Sequence, residues 1–128
     1  MKLLIINGNP SPGNALFEEY TRDFISGLRD AGHQVRELVL RDMKIKPCTG
    51  CFACWVKTPG TCSIDDDGRK VAREFIASDH VIIASPLIMG FVSALTKNAF
   101  DRNIPLVHPH LEAVDGEIEA AMLRWEEL

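Results

Sequence analysis

Four aliphatic residues in a row, Leu3, Leu4, Ile5 and Ile6, stand between Lys2 and Asn7 near the start of the chain. This run restricts the fold more than any other feature. A strand with one solvated face alternates apolar and polar residues, whereas an unbroken apolar run suits a strand covered on both faces, as in the middle of a parallel sheet. Parallel strands need crossover connections, usually helices, so the rest of the chain must alternate helix and strand. Residues 8–13 are rich in turn formers, and Asn14 is placed to cap a helix carrying Phe17, Tyr20, Phe24 and Leu28 at three- and four-residue spacings, with Gly32 ending it. Residues 34–40 mix Val35, Leu38, Val39 and Leu40 with charges and read as a strand near a sheet edge. Asp65, Asp66 and Asp67 supply a cap for a second helix with Val71, Ala72, Phe75 and Ile76 on one side, and residues 80–85 (HVIIAS) form a third strand. Right-handed crossovers to either side put the first strand between the other two, giving the order 2-1-3.

The rest of the chain continues the helical pattern. A third helix is expected within residues 90–102, with Leu95, Ala99 and Phe100 inward. Leu111, Val114, Ile118, Met122 and Trp125 then recur at helical spacing and predict a helical tail over about 111–128, with Gly116 as a possible break. At 128 residues the chain suits one domain, residues 1–128, with that tail as its end. An apolar fraction of 46% with 25% charged residues belongs to a globular rather than a disordered chain. No apolar run reaches bilayer length and the first residues lack the form of a secretory signal, so the reading is a cytoplasmic protein with no membrane partner. The net charge of -4 comes from the tail, where six acids meet only Arg124. No clustered basic face remains for nucleic acid, since Arg69, Lys70 and Arg73 read as the solvated side of a helix.

All four cysteines, Cys48, Cys51, Cys54 and Cys62, fall within fifteen residues. A reducing compartment argues against a disulfide framework, and the clustering points to metal, iron-sulfur or redox chemistry. The spacing C-x2-C-x2-C-x7-C lets three thiolates come from a tight loop and a fourth from an excursion after Thr58, Pro59 and Gly60. A four-thiolate zinc site and free thiols are the rival readings. Phe52 and Trp55, beside Cys54, read as packing residues. His108 and His110 flank Pro109 at a spacing that could chelate a metal but reads better as a surface loop, and His33 reads as a cation near a helix C-terminus.

Ligands of open parallel sheets bind outside the carboxyl ends of the strands, where strand order reverses. Here that crevice lies between the loop at residues 8–15 and the loop at residues 86–92. The first pairs flexible turn residues with a helix N-terminus, whose free amides and dipole favour phosphate. It matches neither GxGxxG nor GxxxxGK, which argues against a dinucleotide fingerprint and a phosphoryl-transfer loop.

Three segments in order, KLLIINGNPSPGNA, KPCTGCFACWVKTPGTCSIDDD and ASPLIMGFVSALTKNAFDR, resemble the flavodoxin-like NAD(P)H-dependent FMN reductases, and in particular the iron-sulfur flavoproteins. The resemblance spans about residues 2–110. It implies an α/β flavodoxin-like three-layer sandwich, FMN as cofactor and NAD(P)H as co-substrate. It places the flavin phosphate on Asn9, Ser11, Gly13, Asn14 and Ala15 and the flavin ring against Pro86, Leu87, Ile88, Met89 and Gly90. It makes Cys48, Cys51, Cys54 and Cys62 the ligands of a four-iron cluster. Asn9, Ser11 and Ala15 depart from the serine, arginine and hydroxyl residues usual in that loop, each lost neutral hydrogen bond being worth about 0.5–1.5 kcal/mol.

The expected activity is that of an FMN-dependent oxidoreductase or electron-transfer flavoprotein, exchanging electrons with a small molecule or a protein. No side chain needs to act as catalytic acid or base, because the flavin carries the chemistry. A quinone or nitroaromatic reductase differs only in acceptor. A binding module without turnover, its cysteine loop purely structural, is the alternative of another class. The flavodoxin-like pattern requires five strands in order 2-1-3-4-5, and the sequence offers three, since Pro105 disqualifies residues 104–107 as a central strand. The third strand is therefore expected to leave an apolar edge, covered by the tail or by a second copy in a homo-oligomer.

Overall fold

The computed structural model describes residues 1–107. Its centre is a three-stranded parallel sheet, β1 (Lys2–Asn7), β2 (Gln34–Val39) and β3 (His80–Ala84), in the expected order β2-β1-β3. Leu3, Leu4, Ile5 and Ile6 are each 5% exposed or less. Burial of each such side chain contributes about 1.5–3 kcal/mol, and burying all four requires cover on both faces. Leu4 and Ile6 join Leu38, Leu40, Val71 and Ala99 in one core cluster, while Leu3 and Ile5 alternate to the opposite side.

Four helices complete the described residues: α1 (Ala15–Asp30), the single turn α2 (Ala53–Val56), α3 (Asp67–Ala77) and α4 (Ala94–Asp101). Asn14 Oδ1 accepts the Phe17 amide, Asp66 accepts that of Gly68, and Ser93 accepts that of Thr96. Both carboxyamide and carboxylate caps were legible in the sequence. Short 3₁₀ turns follow β2 (Leu40–Asp42) and α4 (Ile104–Leu106), the latter at the proline that disfavoured a strand.

Some sequence expectations are corrected. The third helix starts at Ala94 rather than near Gly90, because residues 86–92 close a tight turn first: Ile88 and Phe91 form an antiparallel bridge, with Met89 and Gly90 both at positive φ. Strand β2 ends one residue early, where Leu40 enters the 3₁₀ turn. Tyr20 and Phe24 do not lie in the core; they are 72% and 41% exposed, and Thr21 and Ile25 take the buried positions of α1. The apolar face of α1 is wider than the sheet beneath it. With Phe17, Ile82, Ile83, Ala84 and Ser85, these two aromatics line an open groove of about 300 Å³ beside β3, the edge strand of the described sheet. Ile76 is likewise exposed, on the outer side of α3. The tail helix, with Leu111, Val114, Ile118, Met122 and Trp125, and the pair His108 and His110 lie outside the described residues.

Candidate functional site

The loop after β1 is built as a rigid shelf. Asn7 Oδ1 accepts the Asn9 amide at 3.0 Å, and Asn9 Oδ1 accepts the Ser11 amide at 3.2 Å. Asn9 Nδ2 donates to the Ser11 carbonyl and to Glu18 Oε1. Arg41, from the turn after β2, grips the same Glu18 carboxylate at 2.7 Å and donates to the Asn9 carbonyl. This arginine, first among the causes, holds the Glu18 carboxyl below its usual pKa. The buried side chain of Asn9 is therefore scaffold, Asn14 is committed as helix cap, and the Ala15 amide already donates to the Gly13 carbonyl. Among the described residues the amides of Gly13 and Leu16 have no partner. Unpartnered amides at the N-terminus of a sixteen-residue helix suit an anion such as a phosphate.

The second predicted wall lies close by. Ser85 Oγ accepts the Ser93 amide at 2.9 Å, fixing the start of the turn at residues 86–92. Beyond it the side chains stand out into solvent: Leu87 is 77% exposed, Met89 92% and Phe91 75%, while Pro86 is half-buried. This exposed apolar surface beside the shelf is suited to one face of a flat aromatic ring system.

The four cysteines do come together, all lining one cavity with Thr49, Phe52, Ile64 and Arg102. None forms a disulfide; Cys48 and Cys51 are exposed, Cys62 is half-buried and Cys54 is buried. Phe52 sits in the left-handed region (φ 51°) and turns the chain into α2, a strained conformation for an aromatic residue that places Cys51 and Cys54 on either side of the bend. The Ala53 amide, then Ser63 and Thr49, lower the pKa of the Cys51 thiol, whereas burial raises that of Cys54. Trp55 packs as expected, its indole N–H donating to the Ile104 carbonyl at 3.3 Å, but Phe52, 5.0 Å from it ring to ring, is 47% exposed. Among the described residues no three His, Cys, Asp or Glu groups converge on a single-ion site. A zinc ion needs its thiolates at about 2.3 Å. A four-iron cluster takes one thiolate at each iron, and the four thiols lining this cavity are the donor type and number that such a cluster uses.

A buried ion pair closes the loop. Arg102, 2% exposed, makes a fork to Asp66 with both bonds at 2.8 Å, and also donates to the carbonyls of Lys46 and Ile64. Those two carbonyls bracket the cysteine segment. Gly68 permits the approach, since a Cβ there would lie 2.9 Å from the guanidinium carbon. Arg102 chiefly, helped by the Lys46 and Gly68 amides and opposed by burial, lowers the Asp66 pKa to about 2. A carboxylate with a depressed folded pKa stabilises fully above its unfolded value near 3.8, and that contribution disappears as pH falls towards 2. Urea unfolding is expected to show about 2 kcal/mol lost over that window through this group, and Asp66→Asn should remove this part of the acid sensitivity.

Helix α4 joins the two regions. At its start, Ser93 Oγ donates to the Gly8 carbonyl; midway, Asn98 donates to the Ile45 carbonyl at 2.7 Å; past its end, Arg102 holds the cysteine loop. Eight helical residues span about 12 Å, so the shelf and the cysteine cavity sit at opposite ends of one short rod. The sequence profile of a family described as having the flavodoxin-like fold matches residues 1–104.

The chain belongs to the flavodoxin-like family. Among curated proteins it is similar to an iron-sulfur flavoprotein of Archaeoglobus fulgidus, 37% identical over 80% of this chain and 49% of the relative. A second, from Methanocaldococcus jannaschii, is 34% identical over 83% of this chain and 53% of its own length. A third, from Methanosarcina thermophila, is 28% identical over 95% and 62%. The chain thus spans about half the length of the first two. Sequence reasoning missed Arg41, Ser93 and Arg102 as organisers of this flavodoxin-like site. Ser93 was within reach, as a serine three residues before the next helical hydroxyl. Arg41 and Arg102 carried no local signal, because their partners lie 23 and 36 residues away.

Proposed function

We propose that this chain binds FMN in the crevice between the β1 and β3 loops and a four-iron cluster on Cys48, Cys51, Cys54 and Cys62, and that it works as an electron-transfer flavoprotein or NAD(P)H-dependent oxidoreductase. The convergence of all four thiols on one cavity, tied by α4 to the phosphate shelf, carries this reading. The names of the relatives support it. The flavin, when bound, supplies hydride and single-electron chemistry. The protein's part is to hold and orient: α1 offers its amides to the phosphate, the turn at residues 86–92 flanks the ring, and the cysteine loop donates thiolates. The cavity measures about 20 Å³, roughly one water, and Cys48 and Cys51 at its edge are exposed to solvent. Donor and acceptor are a small molecule or a redox protein. The exposed apolar turn and the groove beside β3 support association with a second copy.

Two measurements test this. Protein purified anaerobically should show flavin absorption together with broad iron-sulfur absorption, with iron and acid-labile sulfide in equal amounts. Each Cys→Ser substitution should reduce iron and sulfide together, and zinc in their place, or no metal after reconstitution, would remove the cluster from the proposal. Separately, Asn14→Ala should weaken FMN binding about two- to tenfold through loss of the α1 cap, a change of about 0.5–1.5 kcal/mol. No FMN binding by the unmodified protein at high micromolar concentration would favour the non-catalytic module.

A further inference from the structure

The cysteine cavity shares a wall with a second cavity of about 240 Å³, and Cys62, Arg102 and Pro105 line both. The two terminal nitrogens of Arg102 are engaged by Asp66, Lys46 and Ile64. Its Nε–H is buried and has no hydrogen-bond partner among the described residues. Native structures rarely leave a buried donor without an acceptor. Cys62 lines both cavities with Arg102, and among the described residues its sulfur makes no hydrogen bond, whereas its carbonyl already accepts Arg69 Nε at 2.9 Å.

Resting on the reading of the four cysteines as cluster ligands, we propose that Arg102 is a positioning residue of that site, its Nε–H reserved for the Cys62 sulfur and its charge fixed beside the ligand set. The charges around it are mixed. Arg69 stands over the Cys62 carbonyl, Asp101 lines the cavity and pairs with Lys97, and Asp66 meets the guanidinium without lining the cavity. A ligating thiolate is a stronger acceptor than a thiol, so the bond forms with loading. Hydrogen bonds to the sulfurs and the charges nearest them set the potential of such sites, and an Nε–H donor at Cys62, with the guanidinium lining the cavity and its Asp66 partner outside it, favours the more negative, reduced state. Reduction by dithionite delivers one electron and neither makes nor breaks a bond in the protein.

The test is anaerobic reconstitution of the whole chain with ferrous iron and sulfide, followed by iron and sulfide analysis and a potentiometric titration with dithionite. Three proteins are compared: wild type, Arg102→Lys and the paired Asp66→Asn/Arg102→Gln, which removes both charges so that neither is left buried alone. The paired variant should load and show at least a tenfold loss in its one-electron reduction constant, about 59 mV. Arg102→Lys, which keeps the charge but has no Nε–H, should shift in the same direction by less; it decides alone if the paired variant does not fold. Equal potentials in the loaded proteins would reduce Arg102 to a structural clamp and overturn the inference. Failure of wild type to take up iron and sulfide would overturn the cluster reading as well, and so separates the two.

Discussion

Asp66→Ala is expected to lower the free energy of unfolding by about 3–5 kcal/mol, the range for stripping one partner from a buried ion pair. Arg102 would keep its charge at 2% exposure with only two carbonyls to receive it, and α3 would lose the cap on Gly68. Domains of this size have about 5–15 kcal/mol in total, so a large part of the stability depends on one carboxylate. Arg102, left unpaired, would also disturb the Lys46 and Ile64 ends of the cysteine segment, so Asp66→Ala should hold less iron and sulfide than wild type or the neutral Asp66→Asn/Arg102→Gln pair, even at temperatures where it remains folded. Urea unfolding monitored by circular dichroism measures the first effect and metal analysis the second. A loss below 1 kcal/mol would show that the pair is not the anchor of the loop.

Gly8→Ala is expected to cost about 1–3 kcal/mol and to weaken FMN binding at least tenfold. A Cβ at Gly8 would stand 1.8 Å from Thr96 Oγ1 and 3.2 Å from Thr96 Cβ. Thr96 is fully buried and cannot swing aside, so the start of α4 must move. That displaces Ser93 from the Gly8 carbonyl and loosens the phosphate shelf together with the turn that follows β3. Thr96→Ala in the Gly8→Ala background should recover part of both losses, because the hydroxyl is the closest obstacle. Wild-type stability and FMN affinity in Gly8→Ala would place α4 elsewhere than against this loop.

The architecture was legible because burial periodicity is a local property. An aliphatic run flanked by turn residues identified β1 as central, and crossover handedness then placed its neighbours on either side. Helix caps at Asn14 and Asp66 were equally readable, since their partners are two or three residues away. The width of an apolar helix face was read less well: Tyr20, Phe24 and Ile76 have helical spacing but lie beyond the cover that the described sheet provides. Spacing tells which residues share a side, and only the neighbouring element decides how much of that side is covered.

The candidate site divides the same way. The sequence by itself determined the loops at the carboxyl ends of β1 and β3, the helix start at α1 and the grouping of four thiols, because each depends on residue type and short spacing. Tertiary structure alone decided that Asn9 is scaffold, that Arg41 braces the first loop, and that Arg102 reaches back 36 residues to Asp66 to close the last. The reason is physical: a buried charge or hydrogen-bonding group must find its partner in space, and chain folding brings together groups whose separation along the sequence leaves no pattern to read.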